Sequence, residues 1–337
     1  MPRLPHPLPL TLAPEFSVAH ARRLGVGASR LAHSDLDRPF HGARMRAVAG
    51  GLEDVDASPV ARESRLLRTE IARRARAAAS IARPGWFFSH VTAAVLWDLP
   101  IPIRVLRSAM SAAGGIDVAV AGGRRAPRGR GIRGHQLRPE MVSVRRRGSL
   151  AVSSPASMWA QLAPLLSVDE LIELADAIVY VPRRRGMVRG TSDDARGTLD
   201  QLAAAMNAGR RHGVDRLRSA LPHVRVGAAS PAETRIRLAL VRAGLPEPEL
   251  DVDVYASDGT GIGFTEFAYP ACRLLVEYEG DHHRVDRAQW NRDIEKHEAC
   301  VDAGWSLVRL TAAHAYPDVA PAVRRVRSAL LRAGAEG

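Results

Sequence analysis

The sequence predicts a mixed α/β (α+β) protein with several domains. Its 337 residues are enough for two or three domains. Apolar residues make up 46% and charged residues 25% of the chain, as is typical of folded globular proteins. Helical and extended patterns are interspersed, and residues 230–337 show the order helix, three-strand meander, helix, strand, helix. This order predicts a mixed sheet flanked by helices in the carboxy-terminal region.

Breaks between these patterns divide the chain into four segments. Polar or glycine-rich stretches separate the periodic ones and mark the boundaries. The segments are a small amino-terminal domain (1–50), a middle α+β domain (60–182), a linker with short helices (183–229) and a carboxy-terminal domain (230–337).

The amino-terminal segment predicts a helix-turn-helix followed by a wing. Ser17 is placed to cap a first helix that Gly25 ends, and residues 28–36 predict a second short helix. Residues 38–46 then resemble a wing. The segment is similar to the amino-terminal winged-helix domain of abortive-infection-type antitoxins, which bind operator DNA. The alternative, a helical hairpin that packs on the next domain, stays open because this pattern is common.

Basic side chains of this segment are the candidates for contact with duplex DNA. Four arginines carry the prediction: Arg22, Arg23, Arg30 and Arg44. Because the guanidinium group suits phosphate geometry, we expect mainly phosphate contacts and a steep dependence of binding on salt.

The middle segment predicts helices followed by strands. The strand patterns cover residues 116–120, 131–137 and 141–144. Before them, Ser89 and His90 open a predicted helix. We interpret them as a helix cap and a histidine at a helix start rather than as a catalytic pair, since no glycine-flanked nucleophile elbow surrounds them.

The carboxy-terminal domain begins with a well-marked helix. Ser230 and Glu233 match a capping box at its start. The strand pattern that follows is edge-like, and we expect its two aspartates, Asp251 and Asp253, to be solvated.

Carboxylates gather at the end of the central strand of this domain. The apolar run 274–278 predicts a strand buried on both faces, yet Glu277 and Glu279 stand at its end, on one side of it. The preceding strand ends at a tight turn, which folds Glu266 back beside Glu277.

Three acids placed so closely need a proton or a cation. At a separation of about 5 Å and an effective dielectric of about 20, each like-charge pair costs roughly 3 kcal/mol. Either one carboxyl group holds a proton or a cation is bound. Three oxygen donors without a cysteine partner suit Mg²⁺ or Mn²⁺ better than zinc. The sequence therefore predicts a Mg²⁺ (or Mn²⁺) site formed by Glu266, Glu277 and Glu279.

The motifs VEYEGDHHR and AGWSLVRLT stand in this order in the last domain. Together with the acid-bearing hairpin, they resemble the very-short-patch-repair-like branch of the PD-(D/E)XK nucleases, over roughly residues 230–335. The resemblance implies a restriction-endonuclease-like fold and Mg²⁺-dependent cleavage of DNA. The sequence departs from the family at Glu266, where the family usually has Asp. It departs again at Glu279, where this branch has Asp and the wider superfamily has Lys.

The resemblance also bears on residues around the three acids. The family places an acid on the first helix of the domain, so capping and catalysis both stay open for Glu233. One of two adjacent histidines, His282 or His283, is expected to assist proton transfer or to contact phosphate, and His283 is the candidate we name. The only lysine of the chain, Lys296, is predicted on the next helix and is therefore excluded from the site.

Charge and cysteine content restrict the partners and the compartment. The formal charge of +12 favours polyanionic partners such as DNA. The two cysteines, Cys272 and Cys300, predict free thiols and a reducing, cytoplasmic location. Residues 1–14 do not have the pattern of a secretory signal, and no apolar run is long enough to cross a membrane. A homodimer is left open.

Two functions follow from these patterns. The first is a Mg²⁺-dependent DNA endonuclease of repair or defence, with catalytic residues Glu233, Glu266, Glu277, Glu279 and His283. The second is an antitoxin-like, DNA-binding transcriptional regulator whose nuclease-like domain no longer cleaves. Cleavage of DNA in the presence of Mg²⁺ separates the two.

Overall fold

A computed structural model describes residues 6–47, 58–111, 114–184, 188–280 and 287–334. Contacts divide the chain into two units, which are described separately. The amino-terminal unit comprises Met1–Leu166 with Ala203–Val214, and the carboxy-terminal unit comprises Ser167–Leu202 with Asp215–Gly337. Helices and strands occur in both units, so the chain is a mixed α/β protein with more than one unit. The four predicted domain boundaries remain predictions.

The amino-terminal unit begins with a small sheet and two short helices. The elements are β1 (Glu15–Ser17), α1 (Val18–Arg23), α2 (Ala28–Leu31), β2 (Leu36–Asp37) and β3 (Ala43–Arg46). The strands pair antiparallel in the order β1-β3-β2. Ser17 caps α1 as predicted, since its Oγ accepts a hydrogen bond of 3.1 Å from the backbone N–H of His20. The second helix is shorter than predicted, because β2 begins at Leu36.

A five-stranded sheet with helices forms the rest of this unit. Its strands are β4 (Phe87–Phe88), β5 (Ile116–Ala121), β6 (Ile132–Leu137), β7 (Val144–Arg147) and β8 (Leu150–Ser153), in the order β6-β5-β4-β8-β7. The helices are α3 (Pro59–Ala79), α4 (His90–Leu96), α5 (Ile103–Met110) and α6 (Pro155–Leu162). β5 and β6 confirm two predicted strands. The strand predicted over residues 141–144 is wrong, because a 3₁₀ turn ends at Met141 and the β7–β8 hairpin starts only at Val144.

The carboxy-terminal unit contains a four-stranded mixed sheet flanked by helices, as predicted. Its strands are β11 (Glu249–Tyr255), β12 (Gly261–Tyr269), β13 (Leu274–Glu279) and β14 (Ser306–Thr311), in that order. The first three form an antiparallel meander, and β14 pairs parallel to β13. Its main helices are α7 (Val168–Val179), α10 (Pro231–Arg242), α11 (Arg287–Asp302), α12 (Ala312–Ala315) and α13 (Ala320–Arg332). Between α7 and α10 the chain forms β9 (Arg183–Arg184), β10 (Val188–Arg189), α8 (Leu199–Asn207) and α9 (Val214–Ala220).

Different helices cover the two faces of this sheet. Val276 packs with residues of α10 and α13 in one apolar cluster. Leu275, which points to the opposite face, packs with Cys300 of α11 in a second cluster. Since side chains alternate along a strand, Glu277 lies on the α11 side.

A buried ion pair joins α7 to α10. The side chains of Asp176 and Arg237 are each 1% exposed and meet at 2.9 Å. Asp176 also accepts hydrogen bonds from the backbone N–H of Arg225 at 2.8 Å and from Thr234 Oγ1 at 2.9 Å. Arg237 donates to the carbonyl oxygen of His223 at 2.8 Å. All the charges and most of the polar atoms of this pair are therefore matched inside the fold.

Of the two aspartates of β11, Asp253 is exposed as expected, whereas Asp251 is buried, which corrects the expectation from the sequence. Arg183 donates hydrogen bonds of 2.5 Å to Oδ1 of Asp251 and to Oδ1 of Asp253. Asp251 is 6% exposed. Its φ of +52° interrupts the regular alternation of side chains, which is why the strand pattern assigned it to the wrong environment.

Two further expectations concern the cysteines and membrane association. Cys272 and Cys300 are both free thiols, as predicted. Among the helices that the structure describes, none is both long and apolar enough to span a bilayer.

Candidate functional site

Two of the predicted acids meet on the sheet of the carboxy-terminal unit. The antiparallel pairing of β12 with β13 places Phe267 opposite Val276. Glu266 and Glu277 each lie next to this pair, so the hairpin brings the two acids into one neighbourhood. Besides burial and the charge of Glu233, the negative charge of Glu277 raises the pKa of Glu266.

Lys296 belongs to this site, which corrects its exclusion. The Nζ atom of Lys296 donates a hydrogen bond to Glu277 Oε1 and a second one, of 2.6 Å, to the carbonyl oxygen of Phe264. The sequence placed Lys296 correctly on the helix after the acidic strand. The exclusion failed because α11 lies across the face of the sheet that carries Glu277, so a long side chain from the helix reaches the strand.

The pKa of Glu266 favours its protonated form at neutral pH. Burial is the main cause of a pKa raised to about 8, and the negative charges of Glu233 and then Glu277 add to it. Its Oε2 atom is buried and has no hydrogen-bond partner among the described residues. The sequence required either a proton or a cation among the acids. The raised pKa of Glu266 corresponds to the proton, and the ammonium group of Lys296 lies against Glu277.

Glu233 both caps its helix and adds to the acidic group. Ser230 Oγ accepts from the backbone N–H of Glu233 at 3.2 Å, which confirms half of the predicted capping box. The Glu233 carboxylate accepts a hydrogen bond of 2.7 Å from the backbone N–H of Ala229. Glu233 is only 6% exposed, and this burial raises its pKa. The negative charge of Asp251 raises the pKa further. Asp251 is thus a nearby acid that the sequence did not indicate.

Glu279 lies at the solvent edge of the group. Its side chain is 47% exposed and pairs with Arg309 Nε of β14 at 3.4 Å. Strand alternation puts it on the same side as Glu277, as predicted. His283, the predicted catalytic histidine, lies outside the described residues.

The four predicted DNA-contacting arginines fall into two groups. Arg22 and Arg23 are exposed on α1. Arg30 instead makes two hydrogen bonds to Asp35, of 2.8 and 2.7 Å. Arg44 donates to the carbonyl oxygen of Leu31 at 2.8 Å. Arg30 and Arg44 therefore hold α2 to the chain around it.

A second group of titratable side chains lies in the amino-terminal unit. His90, Asp117 and His135 each offer a ligand atom within 4.8 Å of the other two. Ser89 Oγ lies 2.9 Å from His90 Nδ1 and makes no capping hydrogen bond, which corrects the predicted side-chain cap. Burial, followed by the charge of His135, lowers the pKa of His90 to about 4. The ring of His90 is therefore neutral at neutral pH.

Comparison with known proteins adds no assigned function. No protein-family profile matches the chain, and no solved structure matches it. Two uncharacterized proteins of Mycobacterium tuberculosis, one from each of two strains, are 33% identical to it over 106 residues. The matched part is 32% of this chain and 38% of each relative, so the match spans well under half of either protein.

Proposed function

We propose that the carboxy-terminal unit is a Mg²⁺-dependent endodeoxyribonuclease. One observation carries the proposal: a buried Glu266 oxygen without a partner stands beside Glu277, against a lysine, on the face of a mixed sheet. A buried carboxyl group with an unused oxygen is costly to a fold unless it serves a ligand or a reaction. Groups with strongly shifted pKa values that cluster in this way favour a functional site.

The donor set fits a hard divalent cation. Glu266 and Glu277 would supply carboxylate oxygens from adjacent strands, and Glu279 would supply a third from the exposed end of β13. Mg²⁺ prefers such oxygen ligands and keeps several waters, which the exposed position of Glu279 allows. A cation bound there would supply Lewis-acid charge to a phosphate oxygen. Glu266 has to lose its proton when the cation binds, so metal affinity should rise with pH.

Lys296 has a separate role in this proposal. Its ammonium group holds the Glu277 carboxylate and would lie beside a phosphodiester bound at the acids. A positive charge fixed there stabilises the additional negative charge that phosphate acquires during hydrolysis. The amino-terminal winged-helix-like region, with exposed Arg22 and Arg23, would hold duplex DNA through phosphate contacts.

Nicking of supercoiled plasmid by the full chain tests the proposal. We expect nicking with Mg²⁺ and none with EDTA. Glu277→Gln should lower the rate on the order of 100-fold or more, because a ligand is lost while the shape is kept. Glu249→Gln is the matched control, since Glu249 is an exposed acid on the edge strand of the same sheet. Equal nicking by wild type and Glu277→Gln would refute the assignment of the site.

The regulator alternative is favoured by a specific feature of the same site. Lys296 already neutralises Glu277, as in a purely structural ion pair. A repressor that no longer cleaves would bind duplex DNA with the same affinity in Mg²⁺ and in EDTA, and would not nick plasmid under either condition. The plasmid assay, read beside a DNA-binding assay, therefore separates the two functions.

A further inference from the structure

Three separate elements bring two imidazoles and a carboxylate together in the amino-terminal unit. In the parallel pairing of β5 with β6, Asp117 lies opposite Arg133 and Ala119 lies opposite His135, so these side chains share one face of the sheet. α4 packs on β5 and adds His90 at its first position. The two histidine rings stack with centroids 3.8 Å apart, and His135 Nε2 is 2.8 Å from Asp117 Oδ1.

We propose that His90, Asp117 and His135 form a binding site for a zinc-class divalent cation. Two imidazole nitrogens with one carboxylate oxygen are a donor set that suits Zn²⁺ and neighbouring transition metals and is poorly suited to Mg²⁺. Three protein ligands leave a fourth position for water or a substrate, as in catalytic zinc sites. The site is independent of the carboxylate group on β12 and β13, which has no histidine among its described members.

The present distances are close to those of a metal site. With ligand bonds of about 2.0–2.2 Å in a tetrahedron, ligand atoms lie roughly 3.3–3.5 Å apart. The separations here range from 2.8 Å, between His135 Nε2 and Asp117 Oδ1, to at most 4.8 Å. The atoms therefore have to move by about 0.5–1.5 Å. Because the stacked rings are only 20° from parallel, one imidazole also has to rotate about its side-chain bonds before both lone pairs point at one ion.

Neighbouring residues already orient two of the three ligands. Asp117 is fully buried, and Thr92 binds it twice: the backbone N–H of Thr92 donates to Oδ2 at 3.4 Å, and Thr92 Oγ1 accepts from the backbone N–H of Asp117 at 2.7 Å. Ser89 holds Nδ1 of His90, which leaves Nε2 as the free ligand atom. Such outer contacts are typical of metal sites. His90 also has φ of +46°, an uncommon conformation that its surroundings impose.

The guanidinium group of Arg133 competes with a metal ion for the carboxylate of Asp117. Arg133 Nη1 lies 3.6 Å from Asp117 Oδ1, and the Arg133 side chain is 35% exposed. Because it reaches solvent, it can turn away when a metal binds. His135 is 22% exposed, which gives an ion a route into the site.

Zinc titration of the full chain, followed by calorimetry and by the absorption bands of Co²⁺ as a substitute, tests the proposal. We expect one Zn²⁺ bound per chain in wild type. His135→Ala should weaken binding on the order of 100-fold or more, at least as much as the loss of an outer-shell group costs. Arg133→Gln should strengthen it about fivefold, since a partly exposed competing ion pair is removed. His33→Ala is the matched control, because His33 also pairs with an aspartate, Asp35, but at the surface and without a second histidine.

The outcomes separate this site from the proposed nuclease centre. Zinc affinity that is unchanged in His135→Ala overturns the proposal. Zinc affinity that is lost in Glu277→Gln and kept in His135→Ala also overturns it, because the ion then belongs to the carboxylate group. If His135→Ala does not fold, Arg133→Gln decides: tighter binding supports the site, and unchanged or weaker binding overturns it.

Discussion

Stability of the metal-free protein should fall as pH rises, and Glu266, one of several acids with raised pKa values, contributes to the fall. Its pKa is raised to about 8 in the fold, against an ordinary value of 4.5. Between these values the folded protein holds a proton that the unfolded chain has released. The free energy of unfolding therefore decreases with pH by about 1.4 kcal/mol per pH unit. Over the whole interval the loss is at most about 5 kcal/mol, a large share of a typical domain's stability.

Glu266→Gln removes this titration while keeping the shape of the side chain. We expect the variant to lose less stability than wild type between about pH 5 and about pH 8. The neighbouring Glu233, whose pKa burial also raises, leaves part of the slope in both proteins. Urea denaturation in EDTA across this range measures both curves. Parallel curves would refute a buried, protonated Glu266. Saturating Mg²⁺ at about pH 8 should raise the melting temperature of wild type and leave that of the variant nearly unchanged.

Three further predictions follow from the contacts described above. Asp176→Ala should lower the free energy of unfolding by about 3–5 kcal/mol, because the buried guanidinium group of Arg237 then keeps only the partly exposed Glu247 as an acidic partner. Asp215→Ala, in a pair whose aspartate is 91% exposed, should change it by less than about 0.5 kcal/mol in the same urea titration. Lys296→Met should lower plasmid nicking by roughly 100-fold. The Mg²⁺-induced rise in melting temperature should be kept, since the acids then lack their internal cation. Loss of that rise would contradict a role of Lys296 that is separate from metal binding. Arg22→Ala should weaken DNA binding and reduce the slope of log affinity against log salt concentration by about 0.9. Arg30→Ala should mainly lower the melting temperature. If Arg30→Ala weakened DNA binding and Arg22→Ala did not, the exposed face of α1 would not contact phosphate.

The sequence predicted the carboxylate pair for local reasons. An apolar run, a turn signal and a two-residue period are enough to define β12, β13 and their register, so Glu266 and Glu277 could be placed together. Lys296 could not be placed, because its contact depends on how α11 lies across the sheet, and no local pattern encodes that angle. The same limit explains His90, Asp117 and His135, which come from a helix and two strands and show no ligand spacing.

Backbone irregularities account for other differences. β4 has only two residues, Phe87 and Phe88, and takes its place in the sheet from its neighbours β5 and β8 rather than from a periodic pattern. Asp251 follows the alternation of an edge strand in the sequence, but its left-handed φ and its bond to Arg183 bury it. Prediction from sequence periodicity assumes a regular backbone, so the predicted side-chain environment is wrong where a residue has an irregular conformation.

The ion pair of Asp176 with Arg237 determines where a segment would have to begin if it were transferred intact to another protein. A fragment cut at Ser230, where the nuclease-like motifs begin, would keep Arg237 and its contact to Glu247 but lose Asp176. It would carry a guanidinium group that the intact chain exposes by only 1%. Recombination at that point would separate Arg237 from Asp176 and leave Glu247 as its acidic partner. A transferable segment would instead have to begin at Ser167, before α7, so that it includes the helix that supplies Asp176.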